Sequence, residues 1–157
     1  MQKTLLIFTT IFFVSISNNL YALEKGSWTF TKDNDWCYVG SLPINSDLPE
    51  TKKRGDNYIL VYKIIGSDEN IVQVEAGYKY NLDKEIIVKI DNTSFNFYST
   101  EDSSETAWTD NDDKIIYAMK KGLKLILSGE SSRGTITNDT YTLKGFTAAI
   151  KKLNKDC

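Results

Sequence analysis

The side chains with the chemistry of a reaction gather between positions 130 and 144. Ser131 and Ser132 precede Lys144, the composition of a serine–lysine pair in which an amine takes the proton of an attacking hydroxyl. Glu130 and Asp139 could serve as paired carboxylates. Further upstream, Asp110-Asn111-Asp112-Asp113 offers the oxygen ligands that calcium takes. Each reading fails on spacing. Ser-Ser-Arg-Gly has the pattern of a polar turn or strand end, and two acids so far apart are ordinary on any surface. The acidic run lacks the spaced ligands and distal glutamate of a calcium loop, and helix capping accounts for it. The chain contains no histidine, which removes Ser-His-Asp and Cys-His catalysis and the commonest zinc ligand. Gly129 and Gly134 match neither phosphate-cradling glycine spacing. The expectation is a non-enzymatic chain with no catalytic residue, cofactor or metal set. A small hydrolase using Ser131 or Ser132 is the alternative.

The two arginines are more informative. The chain has 19 basic residues, and only Arg54 and Arg133 among them are arginine, each directly before a glycine. Lysine suffices for solubility, whereas a planar guanidinium is favoured where a fork must bond oxygens from two directions. Arg133, beside Ser131 and Ser132 and near Asp139, is expected to clamp local carbonyls or a carboxylate, or else to touch a partner. Arg54 ends the basic run Lys52-Lys53-Arg54-Gly55, which reads as a solvated turn and is kept as a second structural or partner-contact candidate.

The elements that must position these groups are mostly strands. Gly26 to Thr31 and Trp36 to Val39 flank Asp33-Asn34-Asp35, a hairpin pattern with Cys37 on its second arm. Ser41 to Asp56 holds both prolines and reads as a loop. Tyr58 to Ile65 and Ile71 to Val74 are strand runs, and Glu85 to Ile90 with Ser94 to Tyr98 forms another hairpin around Asp91-Asn92. Thr100 to Glu105 reads as a loop. From Asp110 to Lys121 the period changes: Ile115, Ile116 and Met119 share a helical face, Asp112 or Asp113 can cap the start, and Gly122 suits a left-handed stop. Leu123, Leu125 and Leu127 alternate as in a strand. Asn138-Asp139 suits a tight turn that would set Ile136 against Tyr141, with a turn at Ser132 to Gly134 as the rival. Phe146 to Leu153 has apolar residues at helical spacing. Trp28, Trp36 and Trp108 are expected in core or rim packing rather than a ligand pocket. Asn92-Thr93-Ser94 and Asn138-Asp139-Thr140 match the glycan acceptor pattern, which matters only in a host that uses it.

Lys3, the uncharged run from Thr4 to Ile16 and Leu20-Tyr21-Ala22 follow the order of a secretory signal. Residues 1–22 are therefore read as a signal peptide and 23–157 as one domain. No later run reaches membrane-spanning length, so no span remains after signal removal. A net charge of −2 argues against a nucleic-acid partner. In an oxidising compartment the even pair Cys37 and Cys157 reads as a disulfide, closing a long loop that contributes roughly 5 kcal/mol at most.

Trp36-Cys37-Tyr38 with Ser41 and Pro43, then Arg54-Gly55, Gly77-Tyr78, Ala107-Trp108, Ala118-Met119 with Gly122, Ser132-Arg133-Gly134-Thr135 with Asp139-Thr140-Tyr141, Leu143, Gly145-Phe146, Ala149 and Cys157 occur in an order that resembles the invasion-associated locus B family. The resemblance spans most of the region after the signal, and the segment from Ser132 to Phe146 is its most specific part. It implies an exported protein of Gram-negative bacteria with an immunoglobulin-like β-sandwich. It transfers no catalytic residue. The reading is a mainly β, antiparallel sandwich with two short helices, periplasmic, outer-surface associated or secreted. Its function is that of a binding module for an unknown protein or envelope component, linked by resemblance to host-cell invasion. A purely structural envelope protein is the remaining class.

Overall fold

The computed structural model describes residues 23–157, so the signal read over residues 1–22 and its cleavage after Ala22 lie outside the described residues. Strands β1 (Thr29–Lys32) and β2 (Trp36–Ser41) form the first hairpin, closed by Asp33 N donating to Trp36 O. Then come β3 (Asn45–Ser46), β4 (Tyr58–Ile64), β5 (Ile71–Glu75), β6 (Ile86–Ile90), β7 (Thr93–Thr100) and β8 (Ser103–Trp108). Helix α1 (Asp112–Lys121), β9 (Lys124–Glu130), β10 (Ile136–Thr142) and α2 (Phe146–Asp156) complete the chain.

All the ladders are antiparallel, and they join in the order β1-β2-β4-β5-β8-β7-β6-β9-β10-β3. Strand β7 is the joint. It pairs with β6 from Thr93 to Phe97 and with β8 at Tyr98 and Thr100, with a register shift between the last two. An irregularity of this kind bends a strand and sharpens its twist. The sheet curls, and both halves face one core. Val39, Val61 and Val74 come from one half and Val88, Leu125 and Leu127 from the other, with Ile115, Phe146, Ile150 and Leu153 supplied by the helices. The mainly β class and the C-terminal helix agree with the sequence reading. The ladder itself is one continuous ten-stranded sheet, where the resemblance implies an immunoglobulin-like sandwich.

Both helices bury the faces their spacing predicts: Ile115, Ile116 and Met119 in α1, and Phe146, Ala149, Ile150 and Leu153 in α2. The ends of α1 differ from expectation. Asn111 occupies the N-cap, and Asp112 instead accepts the backbone N–H of Val72 at 2.7 Å, tying the helix to β5. Burial raises the Asp112 pKa above the ordinary aspartate value, against the lowering effect of that bond. Gly122 is extended (φ −79°), and its need for glycine is packing: a Cβ there would stand 2.6 Å from Ile90 Cγ2. Trp28 seals α2 with its ring edge on Phe146, centroids 4.7 Å apart, and Nε1 donating to Thr142 O at 2.9 Å. A Cys37–Cys157 disulfide, Cα–Cα 5.8 Å, then bonds the end of α2 to β2.

Three further expectations are corrected. The stretch from Thr100 to Glu105 is a tight hairpin, because β8 begins at Ser103. The proline-bearing loop contains β3, which adds to β10 through Ser46 and Asn45. The turn falls at Ser131 to Gly134, the rival position: β10 runs unbroken through Asn138-Asp139, and Ile136 pairs with Glu130 rather than Tyr141.

Candidate functional site

The register of β10 decides where its polar residues point. Thr137, Asp139 and Tyr141 face inward and are fully buried, while Ile136 is 63% exposed. That inverts the usual preference, and a buried carboxylate requires a partner. The partner is Arg54. Its Nη1 donates to Asp139 Oδ2 at 2.7 Å and to Ala76 O at 3.0 Å, and its Nη2 to Asp139 Oδ1 at 2.5 Å and to Ser46 Oγ at 2.9 Å. The side chains are 8% and 0% exposed. Burial alone would lower the guanidinium's pKa. The Asp139 bond and charge outweigh it and hold that pKa above the ordinary value. The fork expected of Arg133 is thus made by Arg54, and it binds carboxylate, carbonyl and hydroxyl at once. The basic run reads as a solvated turn for Lys52 and Lys53, which are exposed, but its third cation turns into the fold.

The approach of Arg54 depends on two glycines. Gly55 N donates to Gly77 O at 2.8 Å, and Gly77 has φ +74°. A Cβ on Gly77 would lie 2.3 Å from Gly55 O, so only glycine permits this contact. Beside it Tyr78 shares a 2.8 Å hydrogen bond with Thr137 Oγ1. Burial raises the Tyr78 pKa against the effect of that bond, and burial raises those of Tyr80 and Tyr141 as well, so all three hydroxyls stay protonated at neutral pH.

Above this floor opens a cleft of about 520 Å³. Its lining comes from three stretches of chain, Leu48 with Lys52 and Lys53, Tyr78 with Lys79, and Ser131 to Arg133 with Thr135, and from Glu105 on β8. Lys52 Nζ reaches across to Thr135 Oγ1 at 2.7 Å. Four of the five residues singled out in the sequence lie at this cleft: Ser131, Ser132, Arg133 and Arg54 line it, and Asp139 is bonded beneath it. Arg133 is exposed, and its guanidinium bonds to none of the described residues. Lys79, Glu105 and Leu48 were missed, and no sequence signal drew them in; Gly77-Tyr78 entered only as part of the family pattern.

The serine readings can be judged on this geometry. Ser131 Oγ accepts the N–H of Arg133 at 3.3 Å and of Thr135 at 3.1 Å. Its lone pairs hold the turn together and are poorly placed for attack. Lys144 follows the far end of β10, seven residues beyond the turn at roughly 3.3 Å each, out of reach of Ser131. Glu130 is engaged by Asn81 Nδ2 at 2.9 Å and Asp139 by Arg54, so they form no free carboxylate pair. Among the described residues no cluster of ligating side chains could hold a metal ion, and no helix is long and apolar enough to cross a membrane. Of the three tryptophans, Trp28 packs on the core. Trp36 stacks on Tyr38 at 4.8 Å and meets the Tyr62 ring edge at 5.9 Å on the sheet's outer face.

A curled antiparallel sheet locked by one disulfide, with a polar cleft above a buried Arg54–Asp139 pair, defines a mainly β domain. Residues 32–154 match the family described as Invasion associated locus B (IalB) protein, and the chain belongs to that family. Its fold is similar to the crystal structure of invasion associated protein B from Bartonella henselae, with TM-score 0.52 and 12% identity over 80% of this chain and 95% of that one. No curated protein matches the chain.

Proposed function

We propose that this chain is an exported, invasion-associated binding module that holds its partner in the cleft above Arg54 and does not transform it. One observation carries the reading: Lys52, Lys53, Lys79 and Arg133 converge on one cleft, and among the described residues none is ion-paired, in a chain of net charge −2. Four cations beside a single lining carboxylate, Glu105, repel one another, and a basic concavity on an acidic protein steers acidic partners toward itself. In this reading the curled sheet is the rigid scaffold, its two halves closing over one core in the manner of an immunoglobulin-like sandwich. Export places the disulfide in an oxidising compartment and the cleft at the cell envelope or beyond.

The test compares the chain from residue 23 onward with Lys79→Glu and Arg133→Glu variants for binding to host-cell surfaces and envelope fractions. Both positions are exposed, so stability to unfolding should stay within roughly 0.5 kcal/mol of the parent. Loss of capture in both variants supports the reading. Unchanged capture, or stoichiometric labelling of Ser131 or Ser132 by a serine-reactive fluorophosphonate, overturns it.

A further inference from the structure

From the chemistry of the cleft we propose that its ligand is an anionic saccharide, a sugar chain bearing sulfate or phosphate groups; this deepens the binding-module reading and rests on it. The first observation is what the cleft lacks. Every backbone N–H of the turn beside it is already used: Ser131 N donates to Thr135 O, Ser132 N to Lys79 O, Gly134 N to Ser131 O, and Arg133 N and Thr135 N to Ser131 Oγ. A compact phosphate held by a nest of amides therefore has no cradle here. Recognition falls to four side-chain cations contributed by three separate stretches of chain. They suit a ligand whose anionic groups are separated rather than concentrated at one point.

The second observation is what lies between the cations. Ser132 and Thr135 supply hydroxyls, Tyr78 an aromatic ring, and Glu105 a carboxylate. A carboxylate repels a bare anion but accepts hydrogen bonds from hydroxyl groups. The ligand must then carry hydroxyl donors as well as negative charge, which is the chemistry of an anionic sugar. The cleft volume falls in the range of roughly 300–1,000 Å³ typical of ligand sites.

The experiment titrates the disulfide-bonded chain from residue 23 onward with a heparin-derived sulfated hexasaccharide. Its desulfated counterpart, inorganic phosphate and oligothymidylate are the comparisons, each at two salt concentrations. A separate arm floats the protein with phosphatidylcholine vesicles displaying a phosphorylated diglucosamine headgroup, which distinguishes a lipid-borne source from a soluble one. The expected result is binding to an anionic saccharide, soluble or on the vesicle, that weakens steeply with salt. Lys79→Gln and Arg133→Gln should each lower the slope of log K against log salt by about one. Glu105→Gln should weaken binding with the slope unchanged. Oligothymidylate binding as tightly as the sulfated hexasaccharide would show a site that reads charge alone and would overturn the proposal. Failure of both saccharides, while Lys79→Glu and Arg133→Glu still abolish cell capture, overturns the ligand class and leaves the binding module standing. Failure of both experiments removes both.

Discussion

Arg54→Ala should be among the most damaging single substitutions in this chain. The guanidinium lies against a fully buried carboxylate, and its two terminal nitrogens make four hydrogen bonds. Removing it leaves the Asp139 carboxylate dry and unpaired, strands Ala76 O, and leaves Ser46 Oγ only the N–H of Leu48. Breaking a buried pair from one side costs about 3–5 kcal/mol, because the surviving charge has no partner. For a domain of this size that corresponds to a fall of roughly 10–20 °C in Tm. Arg54→Lys should recover little of it, since one ammonium cannot span carboxylate, carbonyl and hydroxyl together. The informative partner is the double variant Arg54→Met with Asp139→Leu, in which both charges leave. If the single-variant loss is mainly an orphaned charge, the double variant should be far closer to the parent than Arg54→Ala is. Urea unfolding at neutral pH with the disulfide intact measures all four. A loss below about 1 kcal/mol in Arg54→Ala, the size of an exposed pair, would refute the reasoning.

Three further outcomes are expected. Reducing the Cys37–Cys157 bond, whose partners are 120 residues apart, should lower stability by up to roughly 5 kcal/mol and loosen α2, read by thermal unfolding and amide exchange with and without reductant. Gly77→Ala forces a side chain into positive φ and drives a Cβ to 2.3 Å from Gly55 O; it should cost about 2 kcal/mol or more in urea unfolding and displace the Lys52–Arg54 segment. Glu75 has its pKa raised from 4.5 by burial, against the opposing bonds from Thr106 and Tyr58. A raised carboxyl pKa gives stability that is complete below 4.5 and lost as pH climbs through the folded-state value. Relative to the parent, Glu75→Gln should therefore be less stable at pH 4 than at pH 7, and an equal difference at both would contradict the assignment.

Much of the strand pattern was legible because alternation and turn residues agree with the fold. Leu125 and Leu127 are buried at period two, and both helices sit on the faces their spacing marks. Two of the errors share one cause. Asn138-Asp139 has the composition of a turn, yet Asp139 is an interior strand residue because Arg54, 85 positions away, neutralises it. The same partner explains why a basic run that looks solvated sends one member inward. Rarity of arginine was the right clue, but sequence neighbours pointed it at Arg133. β3 is only two residues long and exists because β10 offers it an edge, so no local pattern could announce it. The cleft was half visible: its turn is contiguous in sequence, whereas Lys79, in the segment between β5 and β6, and Glu105, on β8, are brought beside it by the tertiary fold.

The disulfide also sets how the molecule carries mechanical load. Its two Cα atoms are 5.8 Å apart, yet 120 positions separate them along the chain. Tension applied through the segment before Cys37 and withdrawn at Cys157 passes through the sulfur bond and bypasses β3 to α2 altogether. Only β1 and the first residue of β2 can peel away. At the reach of an extended chain, the bridged loop withholds roughly 400 Å of length from extension. A module tethered at a cell surface by its N-terminal side and gripped near Cys157 would stretch by a few residues and stop. Oxidised and reduced molecules pulled in a single-molecule instrument would differ by that whole loop.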